Sequence, residues 1–182
     1  TAQVQALETV DFVSINTTSL AALTTAQIIA ITTAQAQSLT STQAQALGTA
    51  QVQALETVDF ASISTQSLAS LSAAQIVAIT TAQAQALSTR QAVALTSDQL
   101  VAMETTDFAS ISTASLAALK TSQITALTTA EIVALSTAQV QALTTAQASA
   151  LGTAQVVALE TVDFAALTTR NIAALLTSQV VA

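Results

Sequence analysis

The chain has 182 residues and a net charge of −7, with 52% hydrophobic and only 7% charged residues, and it contains no Pro, Cys, His, Trp or Tyr. So apolar a composition excludes a disordered tail, and Arg90, Lys120 and Arg170, the only basic residues, form no surface that would neutralise the phosphates of a nucleic acid. Mean hydropathy is +0.63, yet no apolar run approaches the roughly 20 residues that cross hydrocarbon, so no membrane insertion is expected.

Taken in chain order, the elements are copies of one unit of eight residues. With its positions labelled a to h, the chain enters at b (Thr1), leaves at g (Ala182) and contains no partial insertion. The first unit carrying acid follows at once, Glu8-Thr9-Val10-Asp11-Phe12, and the next has Ser19 at d. Then come T-T-A-Q-I-I-A-I from Thr24 and T-T-A-Q-A-Q-S-L from Thr32, and the pattern continues through S-T-A-Q-V-Q-A-L at Ser136 and T-T-A-Q-A-S-A-L at Thr144. Position h is Leu, Ile or Met from Leu7 to Leu175, g is Ala or Ser, and e is always apolar. Position b is Thr or Ser except at Ala73, and d is Gln, Glu, Asp, Asn or Ser.

A longer cycle overlies the octads. E-T-x-D-F recurs at Glu8, Glu56, Glu104 and Glu160, at intervals of six, six and seven octads, so one whole octad is gained late, most simply near Gly152. Along the cycle the e side chains run Phe12, Leu20, Ile28, Ala36, Ala44, Val52, then Phe60, Leu68, Ile76, Ala84, Ala92. Large residues therefore stand three octads from small ones, to complement each other across a core or to set a curvature.

The pattern predicts an all-α solenoid of short capped helices, one per 8-residue repeat. Two apolar positions in every octad would drift around a continuous helix of about 3.6 residues per turn, so each octad must restart its geometry. Thr or Ser at a with Gln at d is the capping box that does so, and h with e forms the hydrophobic staple; the cap falls at a or at b. Helices this short are unstable alone, so stacking must hold them. A β-solenoid is the alternative, favoured by Thr and Val but opposed by Ala and Gln, by e and h falling on opposite strand faces, and by the presence of only Gly48 and Gly152 for turns. Two or three octads per coil both divide the six-octad cycle. We expect a single solenoid over residues 1–182, a fragment of a longer array, with supercycles starting near 8, 56, 104 and 160.

No catalytic, cofactor-binding or metal-ligating residue is expected, and no cofactor. With neither His nor Cys, Ser and Thr have no base beside them, so no enzyme is expected. Glu8 and Asp11, three apart, would offer Ca²⁺ too few oxygens; acids in a first helical turn favour the helix dipole and Phe12 fills the core. Capping accounts for the Thr and Ser columns, which would otherwise form a hydroxyl array for ice or carbohydrate, and the Gln at d and f have the composition for ladders.

The tandem octads of Ser136 to Leu151 resemble the Thr/Ala/Gln-rich octad tracts of large repetitive secreted or surface proteins of proteobacteria, of the giant-adhesin kind. The resemblance covers the whole chain and implies an extracellular or cell-surface spacer, surface-layer or filament building block. Its partners would be further copies of itself, adjoining repeats, or a cell-surface or glycan partner. The Gly- and Asp-rich nonapeptides of calcium-binding secreted repeats are missing, so calcium does not carry over. Gly152 to Leu159 also resembles one helix of the DNA-reading plant-pathogen effector repeats, but their second helix and base-reading loop are absent.

Overall fold

The computed structural model describes residues 1–181, and these fold into 23 α-helices of four to six residues with no strand among them, from α1 (Ala2–Gln5) to α23 (Thr177–Val180). The β-solenoid alternative is thereby set aside. One helix forms per octad because the restart is local. In α4 (Thr25–Ile29), Thr24 is the N-cap at φ −70°, ψ 158°; its hydroxyl accepts the Gln27 N–H at 3.3 Å, and Gln27 Oε1 accepts the Thr24 N–H at 2.9 Å. From α2 (Thr9–Val13) onward the N-cap is position a, and b is the first helical residue.

The corner is made by h and a together. Leu39, closing α5 (Thr33–Ser38), leaves the helical region at φ −53°, ψ 124°, and Thr40 stays extended at ψ 160°, which turns the chain before α6 (Ser41–Ala46) begins. No non-glycine and no glycine residue among those described has positive φ. A corner that needs no left-handed residue explains how the fold manages with two glycines.

Each helix packs against the one three places on: α2 (Thr9–Val13) on α5, α5 on α8 (Thr57–Ser62), α8 on α11 (Thr81–Gln85), α11 on α14 (Thr105–Ser110). Three helices, and so three octads, complete one coil, and the array has three faces. Positions e and h point inward, and Phe12, Leu20, Phe60, Leu68, Phe108 and Leu116 are fully buried. Down the face that starts with α2 the e residues read Phe12, Ala36, Phe60, Ala84, Phe108, so each of these rings lies beside alanine in the adjoining coil. The face of α3 (Thr17–Ala21) alternates likewise through Leu20, Ala44, Leu68 and Ala92. Large beside small lets adjoining coils fill the space between them on these two faces. Small g residues such as Ala54 and Ala102 lie half-buried against this core.

Candidate functional site: the polar seam between coils

From Gln35 to Gln179 every d side chain is buried, although all are polar or charged. Capping accounts for only half of each Gln. In Gln83, Oε1 accepts the Thr80 N–H at 2.9 Å, while Nε2 donates to the carbonyls of Val52 at 3.0 Å and Leu55 at 2.8 Å, 31 and 28 residues earlier. Those carbonyls close α7 (Thr49–Ala54), where the Val52 oxygen also takes the Leu55 N–H at 3.3 Å. One carboxamide therefore caps the start of its own helix and the end of a helix in the coil before. Gln35 does the same to Val4 and Leu7, Gln147 to Leu116 and Leu119, and Gln155 to Ile124 and Leu127, at 2.7–2.9 Å.

Shorter d residues keep the seam with fewer bonds. Ser67 donates to the Leu39 carbonyl at 2.7 Å, Ser115 to Leu87 at 3.3 Å, and Asn171 to Leu143 at 2.7 Å. Aspartate has nothing to donate, and there the direction reverses. The hydroxyls of Thr33, Thr81 and Thr137, in the preceding coil, donate to Asp59, Asp107 and Asp163 at 2.6–2.7 Å.

The E-T-x-D-F carboxylates are accordingly driven apart. Asp59 and Asp107 are buried, whereas Glu56 and Glu104 are exposed N-caps whose side chains make no cap bond; near a helix start their charge favours the dipole. The described residues hold no group of three or more Asp, Glu, His or Cys placed to bind a metal ion. Capping uses the a hydroxyls only, so the b residues remain a separate column, exposed at Thr25, Thr49, Thr57 and Thr89. The f glutamines, such as Gln45 and Gln85, are also exposed and form no part of the seam. Shallow grooves run between coils; Arg90 and Lys120, from adjoining coils, line one of them with Thr65 and Thr89.

Sequence reasoning missed the cross-coil half of the d column. The available signal was its invariable polarity, Gln, Glu, Asp, Asn or Ser in every octad; only the coil count turns that into a partner.

A repeat family described as the ALTTAQ repeat matches residues 4–41, 52–89, 100–137, 129–161 and 156–182. The chain belongs to the ALTTAQ repeat family. The hexapeptide Ala142-Leu143-Thr144-Thr145-Ala146-Gln147 spells that description, and it spans one corner of the solenoid from g to d: the small residue, the core leucine, the N-cap, the first helical turn and the seam glutamine. The first three ALTTAQ matches, starting at positions 4, 52 and 100, keep the six-octad interval of the supercycles, and the later ones overlap where the rhythm gains its octad. No curated protein and no solved structure matches the chain. Among the described residues no helix is long and apolar enough to cross a membrane.

Proposed function

We propose that this ALTTAQ-repeat chain is a structural segment, a stiff spacer or building block of an extracellular bacterial surface protein, with no catalytic role. The observation that carries the reading is the use made of the buried d column: from Gln35 to Gln155 its glutamines, serines and aspartates join one coil to another instead of converging on a cavity. Stability of such an array comes from neighbouring units, so it extends along one axis as repeats are added. The open side of the last coil, where Leu176 and Val180 are exposed, suits a further coil, from adjoining repeats or a second copy. Its test is small-angle scattering of the purified chain over a concentration series, together with protease shaving of intact cells of the source organism. An elongated, rigid particle and loss of the protein on shaving support the reading; a compact particle or protection from shaving removes it.

The exposed b column favours a second reading, a binding face for carbohydrate or ice, because capping does not consume those hydroxyls. Glycan arrays and ice-shaping assays on the same chain decide it: strong, selective binding abolished by Thr→Val changes along one face would replace the spacer reading.

A further inference from the structure

Column d either points a donor at the carbonyls of the coil before or, at its aspartates, accepts a threonine hydroxyl from that coil, and Glu131 does neither. It is 1% exposed, and its Oε2 does what Oε1 does in the glutamines, accepting the Thr128 N–H at 2.7 Å and the Thr128 hydroxyl at 2.8 Å. Its Oε1 is the sole buried side-chain nitrogen or oxygen among the described residues without a hydrogen-bond partner. In the adjacent octads the equivalent atom is a donor: Gln123 Nε2 lies 2.7 Å from the Leu95 carbonyl oxygen and Gln139 Nε2 2.8 Å from that of Ile111. The same register, 31 and 28 residues back, aims Glu131 Oε1 at the carbonyls of Leu100 and Met103, where α13 (Ser97–Ala102) ends. Acceptors therefore meet acceptors in a place closed to water, and an unpaired buried charge is among the costliest arrangements a fold can hold.

We propose that Glu131 is a binding site for one small positive charge, a proton or a bare metal cation, held between its Oε1 and the Leu100 and Met103 carbonyl oxygens. Bound there, the charge locks α17 (Thr129–Val133) onto the coil before it. A proton on Oε1 restores one of the two bonds a glutamine would make, and a small monovalent cation such as Na⁺ would lie among all three oxygens. The other charges nearby are Asp107 and the N-cap Glu104 on α14, Asp98 on α13, and Lys120 at the start of α16 (Thr121–Ala126); α20 (Thr153–Ala158), which packs on the other side of α17, has no titratable group. Three acids against one lysine favour the arrival of positive charge.

The test compares the full chain with Glu131→Gln, which supplies the missing donor, by thermal unfolding in two arms. In the first, the pH falls from about 9 to about 4 in Na⁺-free buffer; in the second, Na⁺ is titrated at the high-pH end. With neither proton nor metal supplied, the wild type unfolds about 4 °C or more below the variant. Closure of that gap on acidification identifies the proton as the occupant, and closure on adding Na⁺ identifies the cation. Carboxylates common to both chains cancel in the comparison. A gap that stays constant in both arms, or no gap at any condition, overturns the proposal.

Discussion

Gln75 Nε2 donates to the Ala44 carbonyl oxygen at 2.8 Å, although 31 residues separate the two along the chain. The same nitrogen lies 2.7 Å from the Leu47 carbonyl oxygen, and Oε1 of the same side chain accepts the Ser72 N–H at 2.8 Å. A buried side chain that closes two helix ends at once leaves several orphaned groups when removed.

Gln75→Ala is accordingly expected to cost about 3 kcal/mol, since each buried acceptor or donor left unpaired costs roughly 1–3 kcal/mol and part is recovered by relaxation. Gln85→Ala, at the exposed f position, is the control and should change stability by less than about 0.5 kcal/mol. Urea denaturation midpoints of the two variants check this; equal effects would contradict a cross-coil role for d.

Thr81→Val removes the 2.6 Å bond to Asp107 and leaves that carboxylate buried without the cross-coil donor. A hydrogen bond to a charged group contributes about 1.5–3 kcal/mol, and a loss in that range, read from the same urea midpoints, is the expected result. Thr89, likewise exposed at b but facing no aspartate partner, should tolerate the same change within about 0.5 kcal/mol.

Gly48→Thr should stabilise the chain. Gly48 is already in the extended conformation of an N-cap, at φ −71°, ψ 159°, and donates its N–H to Gln51 Oε1 at 2.7 Å. An added Cβ meets Gln51 Oε1 at 3.7 Å, an ordinary contact, and the new hydroxyl can accept the Gln51 N–H. Reduced freedom of the unfolded chain and the completed box together give about 0.5–1 kcal/mol, read as a higher thermal midpoint.

The alternation of Phe and Ala down one face predicts coupling between coils. Phe60→Ala should cost about 3–5 kcal/mol through the cavity it leaves, and Ala84→Phe about 1–3 kcal/mol through overpacking. Together they should cost less than the sum, because the new ring occupies space next to the vacated position; a double-mutant cycle with no coupling would show that the two coils do not share that volume.

The sequence makes each helix legible because each is determined locally: the Thr24–Gln27 box and the h and e staple restart the chain every octad, and the same chemistry stands in the structure. How many octads close a coil was not legible. That number depends on the angle at which Leu39 and Thr40 turn the backbone, and composition does not encode so small a difference in ψ. The partners of the d column were hidden for the same reason, since Gln83 reaches Val52 only when three helices make a turn. Glu8 and Asp11 read as a pair because they are neighbours in sequence, yet their counterparts Glu56 and Asp59 part company where one is exposed and the other buried. Assigning the hydroxyls to caps held for column a and not for column b, which the first helical residue turns outward.

Because six octads are two full coils, Phe12, Phe60 and Phe108 fall on one face; the seven octads between Glu104 and Glu160 move Phe164 to the next face, in α21 (Thr161–Ala166), which packs on α18 (Thr137–Ala142). One extra octad has thus rotated everything after it by a third of a revolution while the seam and the interior continue undisturbed. Gaining or losing a unit works as an indexing step: it selects the compass bearing at which later side chains are displayed, with no change to the interior.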